Sequence, residues 1–189
     1  MTTLLTVLNA ASITINLIAL LWALFILSEL VNFWVRKVPA LPASKKAINV
    51  LLEILEKDKP NPKTFVDLGS GSGRVLAAVK KKYPPTKVVG YENWPTQFFL
   101  AKALLFFSGK EAELIYKNLY QADLGEADVV FCYLFPNFME KIEEKLEREL
   151  KPGALFITSS FPLPKWQPER TLVSRPKNPN FEKMFVYKG

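Results

Sequence analysis

The chain has 189 residues and a formal charge of +7 at pH 7, from 25 Lys and Arg against 18 Asp and Glu. It contains no histidine and one cysteine, Cys132. That composition excludes Ser-His-Asp hydrolysis, histidine metal ligation and an intrachain disulfide, and leaves no basis for a thiolate metal site. A hydrophobic fraction of 49% is ample for one domain of ordinary size plus an appendage.

The appendage comes first. No charged side chain precedes Glu29, and Arg36 and Lys37 close the apolar run. A membrane span needs about 20 mostly apolar residues. Leu8 to Leu27 or Ile13 to Val35 supplies them, although Asn9, Ser12, Thr14 and Asn16 dilute the first half. A signal peptide has a basic start and a shorter apolar core. Residues 1–37 are therefore read as an uncleaved membrane anchor contacting the lipid bilayer. The alternatives are a helix lying in the interface and a helix buried against a partner. Positive charge just after the span places the domain at 38–189 on the cytoplasmic side, or the matrix side in a mitochondrion, as a single-pass membrane protein.

All the Lys and Arg, and every acid but Glu29, lie beyond residue 35, so the remaining domain is strongly basic. Such a domain suits anionic lipid headgroups or nucleic acid. The densest run, Lys80-Lys81-Lys82, falls at a helix end, where cations complement the helix dipole. Nucleic acid is not expected as a partner.

Val38-Pro39-Ala40-Leu41-Pro42 reads as a stiff linker. Ser44 reads as an N-cap for a helix carrying Ala47, Ile48, Leu51, Leu52 and Leu55. Asp58 to Lys63 is a loop into a first strand ending at Asp67-Leu68. Val75 to Tyr83 is a crossover helix, stopped by Pro84-Pro85. A second strand ends at Glu92, and a second crossover helix runs from Thr96 to Ser108. Leu114 to Lys117 is a third strand. Asp128 to Tyr133 is a fourth, apolar enough to lie centrally in a parallel sheet. Asn137-Phe138-Met139-Glu140 resembles a capping box for a helix through Leu150. Ala154 to Thr158 is a fifth strand, and Thr171–Ser174 with Met184–Tyr187 form a final antiparallel pair. The fold class is α/β, a Rossmann-like doubly wound sheet of seven strands with the last antiparallel.

Chemistry concentrates at the end of the first strand. Asp67-Leu68-Gly69-Ser70-Gly71-Ser72-Gly73-Arg74 sets three glycines at alternate positions between strand and helix. Glycine serves where backbone turns tightly and a ligand approaches the main chain. Backbone N–H groups and a helix N-terminus then face the ligand. The spacing D-x-G-x-G-x-G differs from the dinucleotide fingerprint G-x-G-x-x-G. It resembles motif I of class I S-adenosylmethionine (SAM) methyltransferases. Glu92, an acid at the end of the second strand, suits the ribose diol of such a cofactor. On Glu92 alone, NAD would fit too. The glycine spacing and the short chain, which leaves little for a separate substrate domain, favour SAM.

The resemblance narrows over four elements taken in order: Val38 to Ser44, the glycine loop, Gly90-Tyr91-Glu92-Asn93-Trp94-Pro95 and Phe161-Pro162-Leu163-Pro164-Lys165-Trp166. Together they resemble a small family of membrane-anchored protein-lysine methyltransferases. Its mitochondrial members modify the adenine nucleotide translocase and the membrane-ring protein of ATP synthase. The resemblance implies SAM as cofactor and a lysine-containing membrane protein as substrate. It implies that Gly69, Ser70, Gly71, Gly73 and Arg74 form the cofactor loop, that Asp67 orders it and faces the methionine amino group, that Glu92 holds the ribose, and that Asn93 and Tyr133 are also among the cofactor-binding residues. Asn118 and Leu119 would flank adenine, although relatives usually carry an acid where Asn118 stands. Pro39 and Pro42 would form a lid. Tyr133, Phe135, Pro136, Phe161 and Trp166 would line the acceptor pocket, with plain core packing as the alternative for each. Glu140 and Asp123 are the candidate bases. Two other functions stay open on the sequence: methylation of a lipid or hydrophobic small molecule, and SAM binding without turnover. Tyr133-Leu134-Phe135-Pro136 replaces the N/D-P-P-Y motif of nucleobase and glutamine N-methylation, which disfavours that chemistry.

Overall fold

The computed structural model describes residues 2–36, 41–174 and 182–189. Two compact units emerge, 1–39 and 40–189. The expected lid role of Pro39 and the flanking charge of Lys37 fall outside the described residues.

The first unit is a helix, α1 (Thr2–Arg36). Its stretch Thr6–Val31 is apolar enough to cross a membrane and none of it is buried in protein.

The second unit is built on a seven-stranded sheet. In chain order its elements are α2 (Lys45–Asp58), β1 (Thr64–Leu68), α3 (Arg74–Lys82), β2 (Lys87–Glu92), α4 (Pro95–Ser108), β3 (Glu113–Tyr116), β4 (Val129–Cys132), α5 (Pro136–Glu149), β5 (Leu155–Ser159), β6 (Arg170–Val173) and β7 (Lys183–Lys188). The strand order is β3-β2-β1-β4-β5-β7-β6. The first five strands pair in parallel, while β7 inserts antiparallel between β5 and β6. The order reverses between β1 and β4, and ligands of open α/β sheets bind at the carboxyl edge of such a reversal.

Local chemistry accounts for the element ends. Ser44 caps α2 by accepting the Ala47 N–H at 3.1 Å. Ala47, Ile48, Leu51, Ile54 and Leu55 then form one buried stripe against the sheet. Gly109 ends α4 in the left-handed conformation. The expected capping box at Asn137 to Glu140 is not formed. The helix begins two residues earlier, with Phe135 at the N-cap making no side-chain cap bond and Pro136 in the first turn. Proline supersedes the box because its fixed φ suits that position and its missing N–H costs nothing there.

Side chains alternate across β1, β4 and β5 into two cores. Phe65, Val129, Phe131 and Ile157 face α2 and α3. Val66, Val130, Cys132 and Phe156 face α5, meeting Met139, Ile142 and Leu146. Among the described residues, both cores draw on the second unit from Ala43 onward.

Gly90 in mid-β2 is a position whose necessity only packing reveals. A Cβ there would stand 2.4 Å from Leu76 Cδ1 and 2.9 Å from Ser70 Oγ. Leu76 is fully buried and has nowhere to retreat. Gly90→Ala is expected to destabilise the protein by about 1–3 kcal/mol, the usual cost of overpacking. Urea unfolding checks this, and an unchanged midpoint would mean that Leu76 repacks freely.

Candidate functional site

β1 delivers Asp67 to the carboxyl edge of the sheet, and the chain then turns three times with positive φ, at Gly69 (76°), Gly71 (52°) and Gly73 (77°). The three glycines do different work. A Cβ on Gly69 would press on Leu134 at 2.9 Å, and one on Gly73 on Ala101 at 3.0 Å, so those two allow close packing. A Cβ on Gly71 would meet nothing within 4 Å. Its open side leaves main chain bare toward the cleft, as a ligand pressed on the backbone requires.

The loop is held from β2. The N–H groups of Gly69 and Ser70 both donate to the Tyr91 carbonyl, at 2.9 and 3.0 Å. Glu92 is buried, and its Oε2 accepts the Gly71 N–H at 2.9 Å while Oε1 accepts the Trp94 N–H at 2.7 Å. The carboxylate thus joins the end of β2 to the middle glycine and keeps acceptor capacity for a donor ligand such as a ribose diol.

A cleft opens beside this loop. Its walls are Leu41, Pro42 and Ala43, then Asp67, Gly69 to Ser72, Arg74 and Val75, and finally Phe131 and Tyr133. Asp67 is 2% exposed, and burial, with a smaller contribution from the Glu92 charge, pushes its carboxyl up to about 8. A neutral acid in this position becomes a strong acceptor once a cationic amino group displaces its proton.

The strap at 41–43 is fixed from a distance. Ser44, directly after it, donates its hydroxyl to Glu182 Oε2 at 2.6 Å, across 138 residues of chain. Glu182 is itself buried and holds a left-handed φ of 51°. Its backbone carbonyl also accepts the Ser174 hydroxyl at 2.6 Å. Sequence reasoning missed Glu182, Gly90, Val75 and Phe131. Phe131 reaches the cleft because it pairs with Asp67 in the β1–β4 register.

The remaining expected residues divide. Pro42, Ser70, Arg74 and Tyr133 line the cleft with Asp67, Gly69 and Gly71. Asn93 follows Glu92 directly and is half-buried. Leu119 is buried, with Cδ2 3.9 Å from where a Gly69 Cβ would stand, beside the loop. Asn118 is exposed and caps a 3-10 turn at Leu119–Gln121, its Oδ1 accepting the Tyr120 N–H at 3.1 Å. Phe135 and Phe161 bring their rings to 5.7 Å at the ends of β4 and β5.

Trp166 is tied to α5. Its backbone N–H donates to Glu143 Oε1 at 2.6 Å and its indole N–H to Glu147 Oε1 at 3.3 Å, both on α5. Glu147 is 11 residues beyond Pro136, about 16 Å along a helix that runs away from the carboxyl edge. Trp166 therefore fastens its loop to α5, and it packs, like Phe161, against the core on the α5 side of the sheet. Glu140 and Asp123 are exposed and outside the cleft walls, and Asp123 Oδ1 is engaged by the Gly125 N–H at 3.0 Å. Among the described residues no cluster of metal-ligating side chains occurs.

The chain matches the ANTKMT methyltransferase domain over residues 67–170, which starts at the acid of the glycine loop. It is 30% identical over 149 residues to a protein-lysine N-methyltransferase of Saccharolobus islandicus (strain REY15A), covering 78% of this chain and 91% of that one. It is 36% identical over 135 residues to the adenine nucleotide translocase lysine N-methyltransferase of Mus musculus, covering 70% of this chain. It spans only 57% of that mouse enzyme's length. Among solved structures, an RNA methyltransferase from Salinibacter ruber in complex with S-adenosyl-L-homocysteine superposes with a TM-score of 0.69 at 26% identity, over 78% of this chain and 93% of that one. Gly71, whose Cβ position is open, the buried Glu92 and the buried Asp67 all lie at the carboxyl edge within or next to the matched region. The protein is thus a SAM-dependent methyltransferase, and it belongs to the ANTKMT methyltransferase domain family.

Proposed function

We propose that this enzyme methylates lysine side chains of a membrane-associated protein, with residues 1–37 as a single-pass anchor and the domain at 38–189 on the cytoplasmic side, or the matrix side in a mitochondrion. The observation that carries this reading is the 30% identity to the archaeal protein-lysine methyltransferase over 91% of its length. The mouse relatives, one named for the adenine nucleotide translocase and one for a component of ATP synthase, support a membrane-protein substrate. So does the apolar stretch Thr6–Val31.

The cofactor, when bound, supplies a methyl group already carried on a positively charged sulfur, so no acid is needed to activate the leaving group. The chain's residues then have three tasks. Asp67, Glu92 and the glycine loop orient the cofactor. The strap at Leu41 to Ala43, held through Ser44 and Glu182, covers its methionine end and excludes water. Tyr133, with Phe135 and Phe161, gives the incoming amine an apolar aromatic wall. A lysine amine has a pKa near 10.4, and bringing it to neutrality at pH 7 costs about 4–5 kcal/mol. Burial against aromatic rings disfavours the ammonium, and ring faces accommodate the methylated cation afterwards.

The test is mass spectrometry of the membrane fraction from cells with and without the gene, paired with radiolabelled SAM. Methyl groups lost from lysines of one or a few membrane proteins are the expected result. Label entering lipid with every lysine unchanged would overturn the assignment in favour of a lipid acceptor, a reading that the apolar N-terminal helix also favours. Label entering only soluble proteins would overturn the membrane part of the proposal.

A further inference from the structure

α4 presents an apolar face that no other element of the second unit covers, among the described residues. Phe99, Phe106 and Phe107 are 66%, 78% and 84% exposed. Leu100 and Ala103 are exposed between them at helical spacing, so Phe99, Ala103 and Phe107 lie along one line. The aromatic patch continues onto the sheet edge, where Tyr116 of β3 meets Phe98 edge-on at 5.1 Å. The opposite side of α4 is the one that packs, through Ala101 under the glycine loop and Leu105 in the core. Soluble monomers rarely leave several large apolar side chains contiguous and bare.

Charge narrows what covers this face. The 14 residues of α4 contain no acid and one cation, Lys102. Lys80, Lys81 and Lys82 end the neighbouring α3, and Lys110 and Lys117 flank β3 together with Glu111 and Glu113, the latter paired with Lys87 at 3.5 Å. Aromatic and aliphatic side chains fringed by lysine are the composition of a helix that lies in a membrane interface. The same chain carries the bilayer-length helix Thr6–Val31. Residues 37–44 between α1 and α2 extend at most about 28 Å. We propose that the exposed face of α4 docks the catalytic domain onto an anionic lipid bilayer, with Phe99, Phe106 and Phe107 entering the acyl boundary. This goes beyond the methyltransferase reading and holds whether the acceptor is protein or lipid. Its consequence is a fixed orientation of the cleft relative to the membrane surface, since α4 touches the cofactor loop at Gly73–Ala101.

The test uses the full chain reconstituted in phosphatidylglycerol-containing vesicles. Ala103→Cys places a reporter on the face without removing a phenylalanine, and Glu144→Cys places one on the exposed side of α5, across the sheet. The native Cys132 is buried, with its thiol pushed up to about 12 by burial, and stays unlabelled. A fluorophore at 103 is expected to be quenched about threefold by brominated acyl chains and shielded from aqueous iodide, with the fluorophore at 144 showing the reverse, as for a face buried about 5–10 Å into the interface. Replacing phosphatidylglycerol with phosphatidylcholine is expected to weaken the lipid quenching at 103. Equal iodide access at 103 and 144 would overturn the proposal. Shielding at 103 without lipid quenching would overturn it too, because the face would then be covered by protein, either a second copy or a partner. Quenching at both sites would mean insertion without the proposed orientation and would equally reject it. SAM affinity of the labelled chain reports separately on the methyltransferase reading.

Discussion

Asp67→Asn is expected to stabilise the ligand-free protein at pH 7 while weakening SAM binding. The two effects share one cause. Burial lifts the Asp67 carboxyl from 3.8 to about 8, so at pH 7 the folded protein keeps a proton that the unfolded chain has released. A group raised in the folded state contributes stability that is complete below 3.8 and is lost as pH rises toward 8. By pH 7 the loss is on the order of 4 kcal/mol, from about 3 pH units at 1.36 kcal/mol each. Asparagine titrates in neither state and escapes that loss, but its amide donors need room where one proton stood. A net gain of about 1–3 kcal/mol in urea unfolding at pH 7, vanishing below about pH 4, is the expected result. Binding moves the other way. A carboxylate facing the cofactor's amino group makes a charged hydrogen bond worth about 1.5–3 kcal/mol, so affinity should fall roughly 10- to 100-fold. Wild-type affinity should also climb from about pH 6 toward pH 8 as Asp67 ionises, a rise that the asparagine variant lacks. Calorimetry across that range is the check. A flat wild-type profile, or equal affinity in the variant, would remove Asp67 from the cofactor site.

Glu92 should tolerate neither truncation nor its nearest isostere. Its oxygens each accept one backbone N–H, from Gly71 at 2.9 Å and from Trp94 at 2.7 Å. Glu92→Ala strands both donors and removes the ribose acceptor. Glu92→Gln preserves the shape but turns one oxygen into an NH2 group, which faces an N–H donor whichever way the amide is turned. Each lost or opposed bond costs about 1–3 kcal/mol. Both variants should therefore bind SAM at least about 10- to 100-fold more weakly. Because the Glu92 charge is the lesser cause of the raised Asp67 carboxyl, Glu92→Gln should also shift the pH dependence of residual binding to lower pH. Wild-type affinity in the glutamine variant would show that the carboxylate serves only the loop's own backbone.

The cofactor half of the site was legible in the sequence because its determinants are local. Asp67 to Arg74 is one continuous strand–turn–helix, and glycine at alternate positions is a chemical requirement of the turn. Glu92 was legible because the second strand ends where its β-forming residues end. The proposed acceptor wall draws on the ends of β4 and β5, so its candidates are aromatic residues with no local mark of purpose. Phe161 and Trp166 looked alike among their prolines. The fold sends Phe161 to Phe135 and Trp166 to Glu143 and Glu147, because a buried carboxylate on α5 captures the Lys165 and Trp166 N–H groups.

What the sequence determined by itself, then, was everything governed by residue type and short spacing: the apolar N-terminal segment, the alternation of strands and helices, the Ser44 cap, the glycine loop and its two acids. What only the tertiary structure decided was everything that depends on distant segments meeting. The insertion of β7 antiparallel between β5 and β6 is set by contacts between segments far apart in the chain. The tie from Ser44 to Glu182 joins residues whose separation of 138 leaves no pattern to read. Gly90 is required by Leu76 and Ser70, which reach it from the neighbouring loop and helix. The elevated carboxyl of Asp67 comes from burial, which no single position announces, since the charged form loses its water only when the sheet, the strap and the loop close around it.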